Sequence, residues 1–342
     1  MEQLLTPKKL FARIGLALAV LAAVMFVCSL IGTESVSLKA VFTGPGTQAA
    51  PNPDYEIMGF RLSRIILAGL VGAALACAGV VFQVLLRNPL ADPYILGISS
   101  GAGLGAIIAV ISGFNWTLWG RSPIAVFAFA GALGTVWLVW FIGRLTGKFH
   151  VTGLLLAGVL VNAFFSALMM FLTSIAKSDQ VYSTIFWLMG NLTEGDFLVL
   201  WIGAGCVVGG IVALFFISPQ LNALSFGADD ARSMGVNVAR TRTIAFGIAA
   251  GITAVAVSLS GLIGFVGLVV PHGVRLVFGP DHRQLLPLSG IAGAIFLVIA
   301  DTLARIIVAP AQLPVGVVTA IVGGPFFLIL LVKYSKKVSW LK

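Results

Sequence analysis

Charged side chains are scarce in this chain, so the few that stand at regular spacing carry most of its legible chemistry. Among 342 residues there are 21 Lys and Arg and 12 Asp and Glu. Arg61 and Arg64 are three apart, which on a helix puts both guanidiniums on one face, and such forks suit bidentate pairing with carboxylates. Asp301 and Arg305 are one helical turn apart and predict an ion pair, with Arg305 near the same membrane face as Arg61 and Arg64. An acid inside an apolar stretch is also a candidate proton relay. Asp229, Asp230 and Arg232 belong to a polar island, Ser218 to Arg242. There the acids open, and the base follows in, a short helical stretch that Gly235 can end, as the helix dipole favours. Asn162 and Ser166, four apart, share a helix face that can line a polar path or hydrogen-bond a neighbouring helix.

Covalent chemistry finds no comparable constellation. His150, His272 and His282 are not spaced with Cys, Asp or Glu as a metal site requires. Cys28, Cys77 and Cys206 lie far apart in apolar runs, without redox or metal spacing, and read as packing residues. A phosphate-binding loop needs Gly, four residues, then Gly-Lys-Ser/Thr. Gly147 and Lys148 come nearest, but Ile142 stands at the first Gly position and Phe149 at the hydroxyl position. No catalytic residue, metal ligand or bound cofactor is therefore assigned, and ATP hydrolysis by that route is excluded.

The elements that must position these groups are membrane spans. Hydrophobic residues make up 59% of the chain and charged ones 10%, against roughly 25% charged in a soluble domain, and the mean hydropathy is +1.07. Uncharged runs occupy Ile14–Thr33, Ile65–Leu86, Pro93–Gly120, Ser122–Gly143, Val151–Ala176, Phe197–Ile217, Thr243–Val274, Gln284–Ala300 and Ile306–Val332. Nearly all reach the roughly 20 residues that a spanning helix needs. As one helix, Thr243–Val274 would overshoot a hydrocarbon core of about 30 Å. It is expected to break at Ser258, Ser260, Gly261 and Gly264, where glycines relax the backbone and hydroxyls satisfy freed groups. The count becomes about ten, which puts both termini on one side.

With the amino terminus inside, only Lys39, Arg61, Arg64, Arg121, Lys177 and Arg305 of the 21 basic residues fall outside, in keeping with the positive-inside rule. The net charge of +9 then points to anionic lipid at the inner leaflet and not to nucleic acid. The basic start with its long apolar run reads as a first spanning helix, because no small-x-small cleavage site follows before Glu34. Gln180 to Gly190, with Tyr182, Phe186 and Trp187, reads as a short amphipathic helix at the outer interface.

Between the second and third runs stands RNPLADPYILGISSGAGLG, Arg87 to Gly105. Pro89 and Pro93 stop helices on either side of Asp92, and small residues from Gly97 to Gly105 let a new helix pack closely. This string closely resembles a helix connection of the FecCD-type permeases, membrane subunits of ABC importers for iron chelates, haem and cobalamin. GLIGFVGLVVPHGVRLVFGPDHR (Gly261–Arg283), ADTLAR (Ala300–Arg305) and LPVGVVTAIVGGPFFLILL (Leu313–Leu331) resemble further signatures of that family in the same order. Two departures are Gln312, where a Glu often precedes Leu-Pro-Val-Gly, and Gly273 after Pro271-His272.

The resemblance implies an all-α polytopic bundle like the cobalamin permease, one permease domain over residues 1–342 in a bacterial or archaeal inner membrane, acting as a homodimer. It implies that Gly227, Ala228, Asp229, Asp230, Ala231, Arg232, Ser233, Met234 and Gly235 form a coupling helix for a separate ATPase subunit, two per dimer, which uses ATP-Mg. Arg61, Arg64 and Arg305 would dock a soluble binding protein, although interfacial snorkelling and pairing of Arg305 with Asp301 is the plainer reading. The reading from another class is an ion-coupled secondary transporter with Asp301 as proton carrier.

Overall fold

The computed structural model describes residues 6–47, 50–113, 123–145, 151–192 and 197–339. Arg121, Lys148, His150 and the Gly147–Phe149 stretch lie outside the described residues. In chain order the elements are α1 (Pro7–Leu30), α2 (Leu38–Val41), β1 (Gly46–Thr47), β2 (Ala50–Pro51), α3 (Pro53–Leu85), a 3-10 turn (Pro93–Leu96), α4 (Ile98–Ser112), α5 (Pro123–Leu145), α6 (Val151–Ile175) and α7 (Ser178–Leu188). There follow α8 (Phe197–Phe216), α9 (Ser218–Phe226), α10 (Ala228–Ser233), α11 (Val238–Ser260), α12 (Val266–Phe278), α13 (His282–Ile306) and α14 (Val315–Ser339). The short β1–β2 pair is antiparallel, and everything else with regular structure among the described residues is helical. Seven helices are long and apolar enough to cross a membrane, and three shorter apolar ones, Ile98–Ser112, Val266–Phe278 and Val315–Ile329, bring the set to the expected ten.

The core is built around α3, which is buried almost continuously from Leu67 to Leu85, with α11, α12 and α13 packed on it. Close approach depends on facing glycines. A methyl group on Gly72 would strike the carbonyl of Gly293, and one on Gly79 the carbonyl of Gly267. Where lipid is as apolar as a leucine side chain, such backbone contacts replace the hydrophobic drive for helix association.

The long apolar run breaks where its serines and glycines predict. Helix α11 ends at Ser260, Gly261 has φ 67°, and α12 starts at Val266 after Phe265 at φ 69°. The freed backbone groups find partners, as an apolar environment demands. Asn191 N donates to Ser260 O at 2.8 Å, and Ile263 N donates to the Tyr94 hydroxyl at 3.0 Å. That second bond ties the Arg87–Gly105 hairpin to the break.

Helix ends depart from the uncharged runs wherever charge was taken as a boundary. Helix α3 starts at Pro53, not near Ile65, because Asn52 caps it by accepting from Tyr55 N and the acids Asp54 and Glu56 sit in its first turn, where the dipole welcomes them. Helix α13 passes through Asp301 and Arg305 to Ile306, and α14 begins only at Val315, since Pro310 and Pro314 disfavour helix before it. The amphipathic segment forms α7, and Gln180 there sends its amide to the carbonyls of Val110 and Ile111 at the end of α4, 3.4 Å each.

Candidate functional site

At one end of the bundle the polar island folds into α9, a tight corner at Gly227 and α10. Ala231 anchors α10 with no exposed surface. The helix closes in a Schellman motif: Gly235 at φ 80° donates from its N to Arg232 O at 2.9 Å, and Val236 N donates to Ala231 O at 2.9 Å, satisfying carbonyls that would otherwise be orphaned. Asp229, Asp230, Arg232 and Ser233 are thereby presented to the outside. Arg232 pairs with Asp229 at 2.5 Å, both side chains well exposed, so this bridge contributes little to stability. Phe226 and Met234 flank the acids and are 71% and 61% exposed. An ordered helix that shows acids between two bare apolar side chains is a surface built for a protein partner. Sequence reading singled out the acids but not the apolar flanks.

Helix α9 was not foreseen, and it does a specific job. Its Asn222 donates to Asp281 Oδ1 at 2.8 Å and accepts from His282 N at 2.8 Å, with His282 Nδ1 2.7 Å from the same oxygen. Asp281 also caps α13 through Arg283 N at 3.0 Å and pairs with the Arg283 guanidinium at 2.7 Å. Burial works against the Asp281 carboxylate, but the hydrogen bonds from Arg283 and Asn222 outweigh it and hold the group down at about 2. The island is thus pinned to the start of the helix whose other end carries Asp301 and Arg305.

At that other end the structure brings Arg64 onto Asp301, a pairing across 237 residues that no spacing in the sequence announced. Arg64 Nε and Nη2 each lie 2.9 Å from Asp301 Oδ1, and Arg305 Nε lies 3.2 Å from Oδ2. The Asp301 carboxylate is fully buried, and the Arg64 and Arg305 side chains are 12% and 7% exposed. Arg64 also donates to Gln312 Oε1 at 2.9 Å, so the residue that departs from the family pattern joins the same cluster. Arg61 turns instead to the end of α1 and donates to the carbonyls of Ser29 and Glu34, while Arg305 reaches Ile31 O at 3.4 Å. Cations at a helix C-terminus complement its dipole. A carboxylate clamped by two guanidiniums is poorly suited to picking up and releasing a proton.

Asn162 and Ser166 are half-buried on α6. Beside them Leu160, Phe164 and Met170 are 61%, 61% and 75% exposed. Cys28 and Cys77 are buried, and Cys206 is exposed on α8.

These two ends of one bundle have counterparts among known proteins. The model of the FecCD transport family matches residues 19–333. The chain belongs to the FecCD transport family. The cobalamin import system permease BtuC of Halobacterium salinarum is 41% identical over 296 residues, 86% of this chain and 78% of that one. The hemin transport permease HmuU of Yersinia pestis is 39% identical over 283 residues, 82% of this chain and 84% of its own. Among solved structures, an inward-facing ABC transporter assigned to the metal-chelate type superposes with a TM-score of 0.82 at 31% identity, covering 96% of this chain and all of that one. This FecCD protein is a multi-pass membrane permease of the ABC transporter class, with the bundle architecture expected.

Proposed function

We propose that this FecCD protein is the permease subunit of a binding-protein-dependent importer that carries a bulky metal chelate, with ferric siderophores the first candidates and haem and cobalamin the others. The observation that carries the reading is the exposed α10 surface, pinned through Asn222 to the start of α13, in a chain matched to the family over residues 19–333. On this reading the Ser218–Arg242 island of the single domain 1–342 is cytoplasmic, as are both termini, and residues Gly227 to Gly235 seat a separate ATPase. Two copies of the chain, each over one ATPase subunit, enclose the pathway, with Asn162 and Ser166 along it. ATP-Mg acts only in that partner. No covalent step on the cargo is needed, since differential stability of two conformations suffices for transport.

A soluble or lipid-anchored binding protein docks at the opposite face. Arg64, with an edge toward solvent, makes the direct contact, while Arg61 and Arg305 supply positive field and hold the end of α1. Gln312 in place of an acid leaves that cluster more positive, which favours an acidic docking surface. The membrane is the inner or plasma membrane of a bacterium or archaeon. The test is ATP-driven uptake into vesicles containing the permease and its ATPase, with the binding protein outside, for ferric siderophore, haem and cobalamin separately. Uptake of one of them, abolished without ATP, is expected. ATP-independent uptake that follows a proton gradient would overturn the proposal.

A further inference from the structure

A groove runs along α1 on the lipid-facing side of the bundle, and no part of the transport reading uses it. One wall is α1, with Ile14, Leu18 and Met25. The other is formed by α3, α8 and α13, where Gly69, Ile211 and Gly290 leave a hollow of about 380 Å³ with no polar side chain in its lining. From Ile14 to Met25 the rise is about 16 Å, close to half of a hydrocarbon core of about 30 Å. The groove therefore has the length of one leaflet's acyl chain.

Its mouth is basic. Lys8 and Lys9 are exposed in the first turns of α1. Arg13, one residue before the groove begins, sits with its guanidinium 5.6 Å from the Phe278 ring centroid and 2.5 Å from Gln284 Oε1. The one acid near this mouth, Asp281, is already paired with Arg283. An apolar slot one leaflet deep, opening below a cluster of cations, fits the two halves of one molecule.

We infer that this groove is a binding site for an anionic phospholipid, one acyl chain lying along α1 and the phosphate held by Lys8, Lys9 and Arg13. The bound lipid wedges α1 against α3 and α13 and so sets the seating of the helix whose far end receives Arg61 and Arg305. The inner leaflet as source rests on the orientation proposed above, but the binding itself does not.

Native mass spectrometry of the purified protein, titrated in micelles with phosphatidylglycerol and with phosphatidylcholine of the same chains, has no sidedness and reads the site directly. One phosphatidylglycerol per chain is expected to be retained in preference to phosphatidylcholine. Lys8→Gln with Lys9→Gln should reduce that retention roughly fivefold per charge removed. Leu18→Trp, on the groove rim, should abolish it, whereas Val20→Trp, also exposed but outside the groove lining, should not. Gly69→Val gives a second filling variant, because an added Cβ there meets only ordinary contacts at 3.8 to 4.0 Å. Retention unchanged by both filling variants in folded protein, or equal retention of the two lipids, would overturn the inference.

Discussion

Replacing Asp301 by Asn keeps its shape and removes the one negative charge between two buried guanidiniums. In the native protein Arg64 and Arg305 lie 2.9 and 3.2 Å from its carboxylate, which has no exposed surface. Breaking a buried pair from one side costs about 3–5 kcal/mol, because the remaining charge stays where water does not reach it. Here two such charges also face each other. The double variant Asp301→Asn with Arg305→Gln leaves only Arg64, which keeps Gln312 as an acceptor and an edge toward solvent, and should recover most of the loss. The coupling between the two positions, read from a double-mutant cycle, should be about 1–3 kcal/mol. The assay is equilibrium unfolding in mixed micelles for the four members of the cycle, alongside ATP-driven uptake normalised to folded protein. Full stability of Asp301→Asn would refute the ion-pair account. A stable Asp301→Asn protein with abolished transport would point to Asp301 as a proton carrier.

Other consequences can be checked singly. Asp229→Lys with Asp230→Lys should leave the fold intact and uncouple ATP hydrolysis from uptake, measured as hydrolysis and transport in the same vesicles; undiminished transport would remove α10 from the mechanism. Arg64→Glu should weaken binding-protein affinity by roughly tenfold or more, as reversal of a docking charge does, seen by surface binding to reconstituted permease, and unchanged affinity would refute the docking role. Because the Asp281 carboxyl is held near 2 against an ordinary value of 3.8, its stabilising effect should be complete above that ordinary value and fade as pH falls toward 2. The stability difference between native protein and Asp281→Asn, followed from pH 5 downward, should shrink over that window, and a pH-independent difference would contradict it. Gly79→Leu should abolish accumulation of folded protein, because the added side chain meets the Gly267 backbone, and normal yield would contradict the close approach.

Much of the architecture was legible because a bilayer imposes length and composition on each span. The break at Ser260 and Gly261 follows from a run too long for one helix, and the end of α10 follows from Gly235, the residue that accepts φ 80° without strain. Boundaries placed at charges failed at Asp54, Arg61 and Asp301, because α3 and α13 carry their charges into caps and ion pairs while the helix continues. Arg64 with Asp301, and Asn222 with His282, were invisible for another reason: they join distant segments, and one sequence records no pairing. The exposure of Phe226 and Met234 was equally hidden, since whether an apolar side chain is covered depends on tertiary packing.

The central claim is that this permease works with a separate ATPase seated on its α10 surface. The most direct measurement is quantitative mass spectrometry of the protein gently extracted from its native membrane in transport-competent form. The account predicts an ATPase subunit in equal amount, lost when Asp229 and Asp230 are both changed to Lys. Reproducible absence of any ATPase from such a preparation would contradict it.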